Sequence, residues 1–133
     1  MYDLFAPNGQ VKYVVAEVDG KIISAGMFIL YGDEVIYLFS GSDESYMKEY
    51  NAQYAIQWHM IQYAVKHKYK RYNFYGIQGL PDPSKPGYGV YKFKKGFGAK
   101  YGSVVEFIGA YELPINTLFF GLHQILKKIK PAR

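Results

Sequence analysis

The stretch from Tyr72 to Phe97 reads YNFYGIQGLPDPSKPGYGVYKFKKGF and predicts three kinds of local structure in succession. A short apolar strand over Arg71 to Ile77 follows a helix. Because helical crossovers join parallel strands, this strand is expected to have a parallel neighbour. The loop from Gln78 to Pro86 holds three prolines, which exclude a helix or a central strand. Tyr88 to Gly96 then predicts a short helix that Gly96 or Gly98 ends.

Upstream of this stretch, the pattern predicts an antiparallel meander of three strands. Asp19-Gly20 is a strong signal for a two-residue hairpin turn, and Gly32-Asp33 predicts the second turn. The strands are expected at Val11 to Ala16, Lys21 to Tyr31 and Glu34 to Phe39.

Two helices and one more strand complete the expected layout. Asn51 can cap a helix that runs to about Tyr69. Val104 to Leu113 predicts another strand, and Asn116 or Thr117 can cap a final helix. In a single domain of 133 residues, this order predicts an α/β fold with a mixed sheet flanked by helices. The order is similar to the second half of the acyltransferase fold called GNAT.

The composition narrows the chemistry that the chain can perform. Cysteine is absent, which excludes disulfide scaffolds, thiol nucleophiles and cysteine metal sites. The histidines, His59, His67 and His123, have no serine or carboxylate at a suggestive spacing, so neither a covalent nucleophile nor a metal site is predicted. No cofactor is predicted. The 15 tyrosines suit a groove that binds something polar and flat, or a tyrosine-rich sheet.

The net charge of +5 is concentrated in three basic clusters. Such clusters attract RNA, nucleotide phosphates or an anionic membrane surface, and a solvated face is the common alternative. The clusters are Lys66, Lys68, Lys70 and Arg71; Lys92, Lys94 and Lys95; and Lys127, Lys128, Lys130 and Arg133.

Two lysines lie among aromatic residues in the segment Phe93-Lys94-Lys95-Gly96-Phe97. Phe93 and Phe97 would shield Lys94 from water, and a desolvated ammonium can stabilise an oxyanion or bind a phosphate. The alternative is a lysine that packs its stem on the rings and keeps its amine in water.

The residues before the central helix bear on the identity of the substrates. Enzymes of the GNAT fold that use coenzyme A hold its pyrophosphate with a glycine-rich loop at a helix N-terminus. Here the segment is Ser42-Asp43-Glu44-Ser45-Tyr46, and its two carboxylates would repel a pyrophosphate. Tyr46, Tyr50 and Tyr54 are candidates to line an acceptor groove, and packing on the helix is the alternative for each. Tyr75 and Gln78 are candidates near the site, because ligands bind beyond the carboxyl ends of parallel strands.

Four motifs occur in a fixed order between Val35 and the C-terminus. They are NAQYAIQWHMIQYA, YNFYGIQG, GVYKFKKGFG and EFIGAYELPI. Together they resemble the Fem family of non-ribosomal aminoacyltransferases, which build peptidoglycan cross-bridges. The resemblance covers most of the second of two tandem GNAT-like domains, so the chain is expected to be a partial second domain.

The resemblance implies a defined reaction. The donor is aminoacyl-tRNA, and the acceptor is the stem-peptide lysine of a lipid-linked or nucleotide-linked peptidoglycan precursor. The phenylalanine-lysine pair of the family maps onto Phe93-Lys94, whose lysine is expected to stabilise the transition state of the transfer, with Lys95 as the weaker candidate. The first GNAT-like domain is then a missing partner, and this chain is expected to be inactive alone.

The N-terminal residues and the apolar stretches bear on location. Met1 opens onto Tyr2-Asp3-Leu4 without a basic and then apolar run, so no signal peptide is predicted, and no apolar stretch is long enough to span a bilayer. The expected location is the cytoplasm, with the inner face of the plasma membrane as a surface that the basic terminal helix could contact.

Two other functions stay open. One is a basic, aromatic module that binds RNA or a protein without catalysis. The other is a GNAT acyltransferase that depends on coenzyme A.

Overall fold

The computed structural model describes residues 2–47, 49–77, 82–98, 100–105 and 115–129. The chain divides after residue 99 into two compact units. The first unit begins with a short helix, α1 (Tyr2–Phe5), and a 3-10 helix (Ala6–Asn8).

A four-stranded sheet forms the centre of the first unit, in the order β1-β2-β3-β4. The first three strands pair antiparallel, and β4 pairs parallel to β3. The predicted meander and the predicted parallel neighbour are therefore confirmed. The strands are β1 (Val11–Val18), β2 (Lys21–Tyr31), β3 (Glu34–Ser42) and β4 (Arg71–Asn73).

Both turns of the meander lie where the sequence predicts them. Asp19 and Gly20 have φ angles of 50° and 79°, the left-handed pair that a type I′ turn requires. Gly32 has a φ of 57° in the second turn. Asp33 follows it and forms an ion pair with Arg71 at 2.7 Å, which ties the second turn to the first residue of β4.

Helix α2 (Ala52–Lys66) follows the meander and ends earlier than the predicted Tyr69. Lys68 has a φ of 61°, its N–H donates to the Val65 carbonyl at 3.1 Å, and the Tyr69 N–H donates to the Ala64 carbonyl at 2.9 Å. These two bonds form a Schellman motif, in which lysine occupies the position that glycine usually takes. Asn51 precedes the helix as predicted, but its side chain makes no capping hydrogen bond.

Strand β4 is shorter than the predicted strand over Arg71 to Ile77. Tyr75 has a φ of 58°, outside the extended region, and its N–H donates to Asn73 Oδ1 at 2.7 Å. This local hydrogen bond replaces the sheet ladder after Asn73, so the chain leaves β3 at that point.

Helix α2 packs across one face of the sheet. Its buried side chains Ile56, Met60 and Ala64 recur every fourth residue and so share one face of the helix. The core also includes Phe28, Leu30, Val35 and Tyr37 from β2 and β3. Phe93 of α3 (Tyr88–Gly98) packs against this core, which brings α3 to the same side. The structure thus confirms the predicted α/β fold with a mixed sheet flanked by helices.

The second unit contains helix α4 (Thr117–Ile129). Asn116 Oδ1 accepts the N–H groups of Leu118 at 3.1 Å and Phe119 at 3.2 Å, which confirms the predicted cap. Most of the strand predicted over Val104 to Leu113 lies outside the described residues. Across the residues that are described, no helix combines the length and the apolarity that crossing a membrane would require.

Candidate functional site

A cavity of about 500 Å³ opens in the first unit, where the end of β3 and the loop after it meet the first turn of α2 and helix α3. Five of the residues predicted for the site line it: Tyr46, Tyr50, Tyr54, Phe93 and Lys94. Two segments that the sequence analysis singled out separately, the loop before α2 and the aromatic-lysine segment, therefore meet at one concave surface.

Helix α3 presents its functional residues on one face. Val90, Phe93 and Phe97 are spaced three and four residues apart, and Lys94 lies one turn after Val90. Val90, Phe93 and Lys94 all line the cavity. The register of this helix therefore places an apolar wall and a cation side by side.

The Lys94 amine is anchored and does not extend freely into solvent. Its Nζ donates a hydrogen bond to the Gly76 carbonyl at 2.6 Å and lies over the Tyr37 ring, 5.7 Å from the ring centroid. Burial lowers the pKa of Lys94 below its usual value. An ammonium has three hydrogens, so the bond to Gly76 still allows donation to a ligand oxygen in the cavity.

A cluster of aromatic side chains packs against this segment of α3. Phe93 meets the Tyr54 ring edge to face at 4.8 Å, and Phe97 stacks on Tyr54 at 5.5 Å and on Phe74 at 5.3 Å. These contacts join α3 to α2 and to the residue after β4. The predicted aromatic surroundings of Lys94 exist, but the ring beneath the ammonium is that of Tyr37.

A polar network forms another part of the cavity wall. Gln53, in the first turn of α2, donates from Nε2 to Ser24 Oγ at 2.7 Å and to the Ala25 carbonyl at 3.1 Å. The Tyr37 hydroxyl donates to Ser40 Oγ and approaches Gln53 Oε1 at 3.2 Å. The network ties the start of α2 to the ends of β2 and β3. Tyr37, Ser40 and Gln53 line the same cavity as Lys94, so the network fixes this part of the cavity wall.

The loop before α2 is held by its own side chains. Asp43 accepts hydrogen bonds from the Ser45 N–H and hydroxyl, and it forms an ion pair with Lys21 at 3.1 Å. The hydrogen bond from the Ser45 hydroxyl, followed by that from Lys21, lowers the pKa of Asp43 to about 2. Lys21 also lies over the Tyr46 ring, 4.5 Å from its centroid. Together these contacts position Tyr46 at the rim, and Glu44 adds a second carboxylate to the lining.

The other predicted site residues lie elsewhere. Tyr75 is exposed and precedes Gly76, the carbonyl partner of Lys94, but it does not line the cavity. Lys95 points away to the Tyr91 ring, 5.4 Å from its centroid. Gln78 lies outside the described residues. Within the described ranges, no three acidic or histidine side chains are grouped so that they could hold a metal ion.

Sequence reasoning missed three contributors to the site: Tyr37, Gln53 and the Gly76 carbonyl. Tyr37 lies within a strand and Gln53 within a helix, so each reads as an ordinary member of its element. A backbone carbonyl carries no signal in a sequence. None of the three therefore carries a signal that sequence reasoning could have used.

Comparisons with known proteins identify a family and several relatives that are similar to this chain. The model of the FemAB family matches residues 9–128. The aminoacyltransferase FemA of Staphylococcus epidermidis is 43% identical over 108 residues, which cover 81% of this chain and 25% of that protein. FemA of Staphylococcus aureus (strain MW2) is 39% identical over the same shares of the two chains. The crystal structure of FemX aligns with 56% of this chain and 18% of its own, at 27% identity and a TM-score of 0.49.

The chain spans about a quarter of the length of the FemA proteins that it matches. The family match covers the whole sheet, α2, α3 and all of the residues that line the cavity. The chain belongs to the FemAB family.

Proposed function

We propose that this chain provides the acyl-transfer site of an aminoacyltransferase in peptidoglycan cross-bridge synthesis. The donor is aminoacyl-tRNA, and the acceptor is the stem-peptide lysine of a lipid-linked or nucleotide-linked precursor. One observation carries the proposal: Lys94 presents a partly desolvated ammonium in the wall of a cavity large enough for the reacting groups. The FemA relatives, which are named aminoacyltransferases, support the reaction class.

The reaction needs no covalent intermediate with the protein. The neutral acceptor amine attacks the ester carbonyl carbon of aminoacyl-tRNA, and a carbon–nitrogen bond forms. Negative charge develops on the carbonyl oxygen, where the Lys94 ammonium donates a hydrogen bond. When the tetrahedral intermediate collapses, the bond to the ribose oxygen breaks, and that oxygen takes up the proton that the amine loses and becomes the free hydroxyl. The products are an amide and deacylated tRNA.

The surroundings of Lys94 suit this role. Burial weakens the hydration of the ammonium, and a preorganised donor in a water-poor site acts more strongly on a developing oxyanion than it would in water. Such a donor stabilises a transition state by roughly 3 to 4 kcal/mol. The Gly76 carbonyl and the Tyr37 ring hold the donor before the substrate arrives. Little reorganisation is then needed during the reaction.

The loop side of the cavity favours a polar acceptor over coenzyme A. Tyr46 and Tyr50 place aromatic rings along the lining, 6.1 Å apart, with hydroxyls that can bind amide or phosphate oxygens. Asp43 and Glu44 lie beside them and add negative charge close to the start of α2. A pyrophosphate placed there would meet two carboxylates, whereas the side-chain amine of the stem-peptide lysine would not be repelled.

A chimera tests the proposal directly. The matched segment of Staphylococcus epidermidis FemA is replaced by this chain, and transfer of a radiolabelled amino acid from aminoacyl-tRNA to a peptidoglycan precursor is measured. We expect the chimera to transfer from aminoacyl-tRNA and not from an acyl-coenzyme A. FemA itself is the positive control, and FemA without the segment is the negative one. A folded chimera that uses the coenzyme A donor, or that uses neither donor, contradicts the proposal.

A further inference from the structure

We infer that Tyr37 is a positioning residue for Lys94, and that its ring is the platform that holds the ammonium at the cavity. The inference deepens the proposed function and rests on it for the catalytic consequence, whereas the contact itself can be tested without any activity. Tyr37 lies in β3, only 6% of its surface is exposed, and it lines the same cavity as Lys94.

Two contacts fix the ammonium from different parts of the chain. The Gly76 carbonyl accepts a hydrogen bond from Nζ at 2.6 Å, and the Tyr37 ring lies beneath Nζ at 5.7 Å. A carbonyl alone would leave the lysine stem free to swing about one hydrogen bond. A ring below the cation removes that freedom, because the attraction is greatest over the face of the ring.

The ring is itself held by several neighbouring side chains. It stacks on Phe28 at 5.4 Å and meets the edge of Phe74 at 6.4 Å. Its hydroxyl donates to Ser40 and approaches Gln53, whose amide is bonded to β2. The platform is therefore part of the core of the sheet, and its orientation is set by α2 and by the two neighbouring strands.

The Tyr37 ring offsets part of the electrostatic cost of burying the Lys94 ammonium. Burial disfavours the charged form of Lys94, and a cation over an aromatic ring recovers part of that loss without a carboxylate, which would neutralise the charge needed for the oxyanion. The Asp43 carboxylate is already paired with Lys21. The titratable groups that share the cavity lining with Lys94 are Tyr37, Asp43, Glu44, Tyr46, Tyr50 and Tyr54.

Nuclear magnetic resonance of the whole chain, with lysine labelled with carbon-13 at Cε, tests the contact. Lys94→Arg assigns the resonance. We expect a nuclear Overhauser effect between the Lys94 Cε protons and the ring protons of Tyr37, and an upfield ring-current shift of the same protons. This measurement needs no variant of Tyr37, so it decides the contact even where such a variant fails to fold.

Variants then test the platform. Tyr37→Leu removes the ring and is expected to lower the Lys94 pKa by about half a unit or more, since the charged form loses a cation–π contact. Tyr37→Phe keeps the ring and should leave that pKa unchanged. Tyr63→Leu is the matched control and should also leave that pKa unchanged, because it removes a ring that packs against the same core and stacks on His67 and Tyr69. In the chimera, Tyr37→Leu should lower kcat more than it changes KM, and Tyr37→Phe should restore kcat.

The outcomes distinguish the role of Tyr37 as a platform from the proposed function. No Overhauser contact in the unmodified chain, or an unchanged Lys94 pKa in a folded Tyr37→Leu variant, overturns the platform. If both magnetic resonance results are as expected but Lys94→Ala does not slow transfer in the chimera, the platform stands and the proposed function fails.

Discussion

Gly26 shows how a single residue lets α2 approach the sheet. It lies in β2, where an added Cβ would be 2.9 Å from Phe28 Cε2 and 3.1 Å from Ile56 Cγ2. Both neighbours are almost fully buried and have little room to move. The absence of a side chain at this position therefore sets the distance between helix and sheet.

We expect Gly26→Ala to lower the free energy of unfolding by about 1 to 3 kcal/mol, because overpacking displaces a buried ring and a branched side chain. Urea denaturation measures the change. Gly41→Ala is the matched control on the neighbouring strand, where a Cβ would meet nothing within 4 Å. Equal losses in the two variants would show that close packing at Gly26 is not the cause.

Residue chemistry made part of the site predictable. Lys94 and Phe93 were identified from a lysine flanked by rings and from the Fem resemblance, and Tyr46 and Tyr50 from the loop that precedes a helix. All four line the cavity. The contribution of Tyr37 could not be predicted, because it depends on which side of β3 faces α3, a relation between distant segments that local pattern does not encode.

At the scale of elements, the strongly patterned parts were predictable and the ends were not. The meander follows from alternation and from two turn signals, and β4 follows from its place after a helix. The ends of α2 and β4 are set by Lys68 and Tyr75, which adopt left-handed φ angles of 61° and 58°. Neither residue type is a usual signal for that conformation, so the sequence predicted both elements to continue.

The left-handed residue at the end of α2 predicts the direction of a change in the free energy of unfolding. Lys68→Gly is expected to raise the free energy of unfolding by about 1 kcal/mol, because glycine adopts the left-handed conformation of the Schellman position without the clash of a Cβ. Thermal or urea unfolding measures it. Lys66→Gly, within the last turn of the same helix, should change stability by a similar amount in the opposite direction. A loss of stability in Lys68→Gly would contradict this account of the helix end.

The loop between β3 and α2 should make stability depend on pH in acid. The pKa of Asp43 is lowered from 3.8 to about 2 in the folded chain, so the folded state favours the ionised form. This contribution is fully present above the unfolded pKa, and it is lost as the pH falls from about 4 to about 2.

Urea midpoints measured across that range test the loop. The unmodified chain should lose stability over the interval, and Asp43→Asn should remove that part of the loss. Glu44→Gln serves as the neighbouring control, since the structure shows no ion pair of Glu44 with the described residues. The loop account fails if Asp43→Asn and Glu44→Gln give the same profile as the unmodified chain.

At the scale of the whole molecule, the positive charge is only partly neutralised. Lys70 and Arg71 share Asp33, at 3.7 Å and 2.7 Å, while Lys66 and Lys68 in the same cluster are exposed. Lys92 and Lys95 are exposed on α3. Of the third cluster, the structure describes no side chain. Exposed charge of this kind is suited to the phosphates of the proposed tRNA donor.

Binding of tRNA should therefore weaken as salt rises. Three phosphate contacts would lower the affinity roughly twentyfold to fortyfold between 50 and 200 mM salt. Fluorescence anisotropy with labelled tRNA measures this slope, and a Lys66→Ala, Lys68→Ala double variant should make it shallower. An affinity that does not change with salt would exclude phosphate contacts as the source of binding.

The role of Lys94 is tested most directly by the single-turnover rate of aminoacyl transfer in the FemA chimera that carries this chain. Lys94→Ala should slow that rate about a hundredfold to a thousandfold, since it removes the cation that stabilises the oxyanion. Lys92→Ala, which changes an exposed lysine of the same helix outside the cavity lining, should leave the rate at saturating aminoacyl-tRNA unchanged. A folded Lys94→Ala chimera that transfers as fast as the Lys92→Ala chimera would contradict the account.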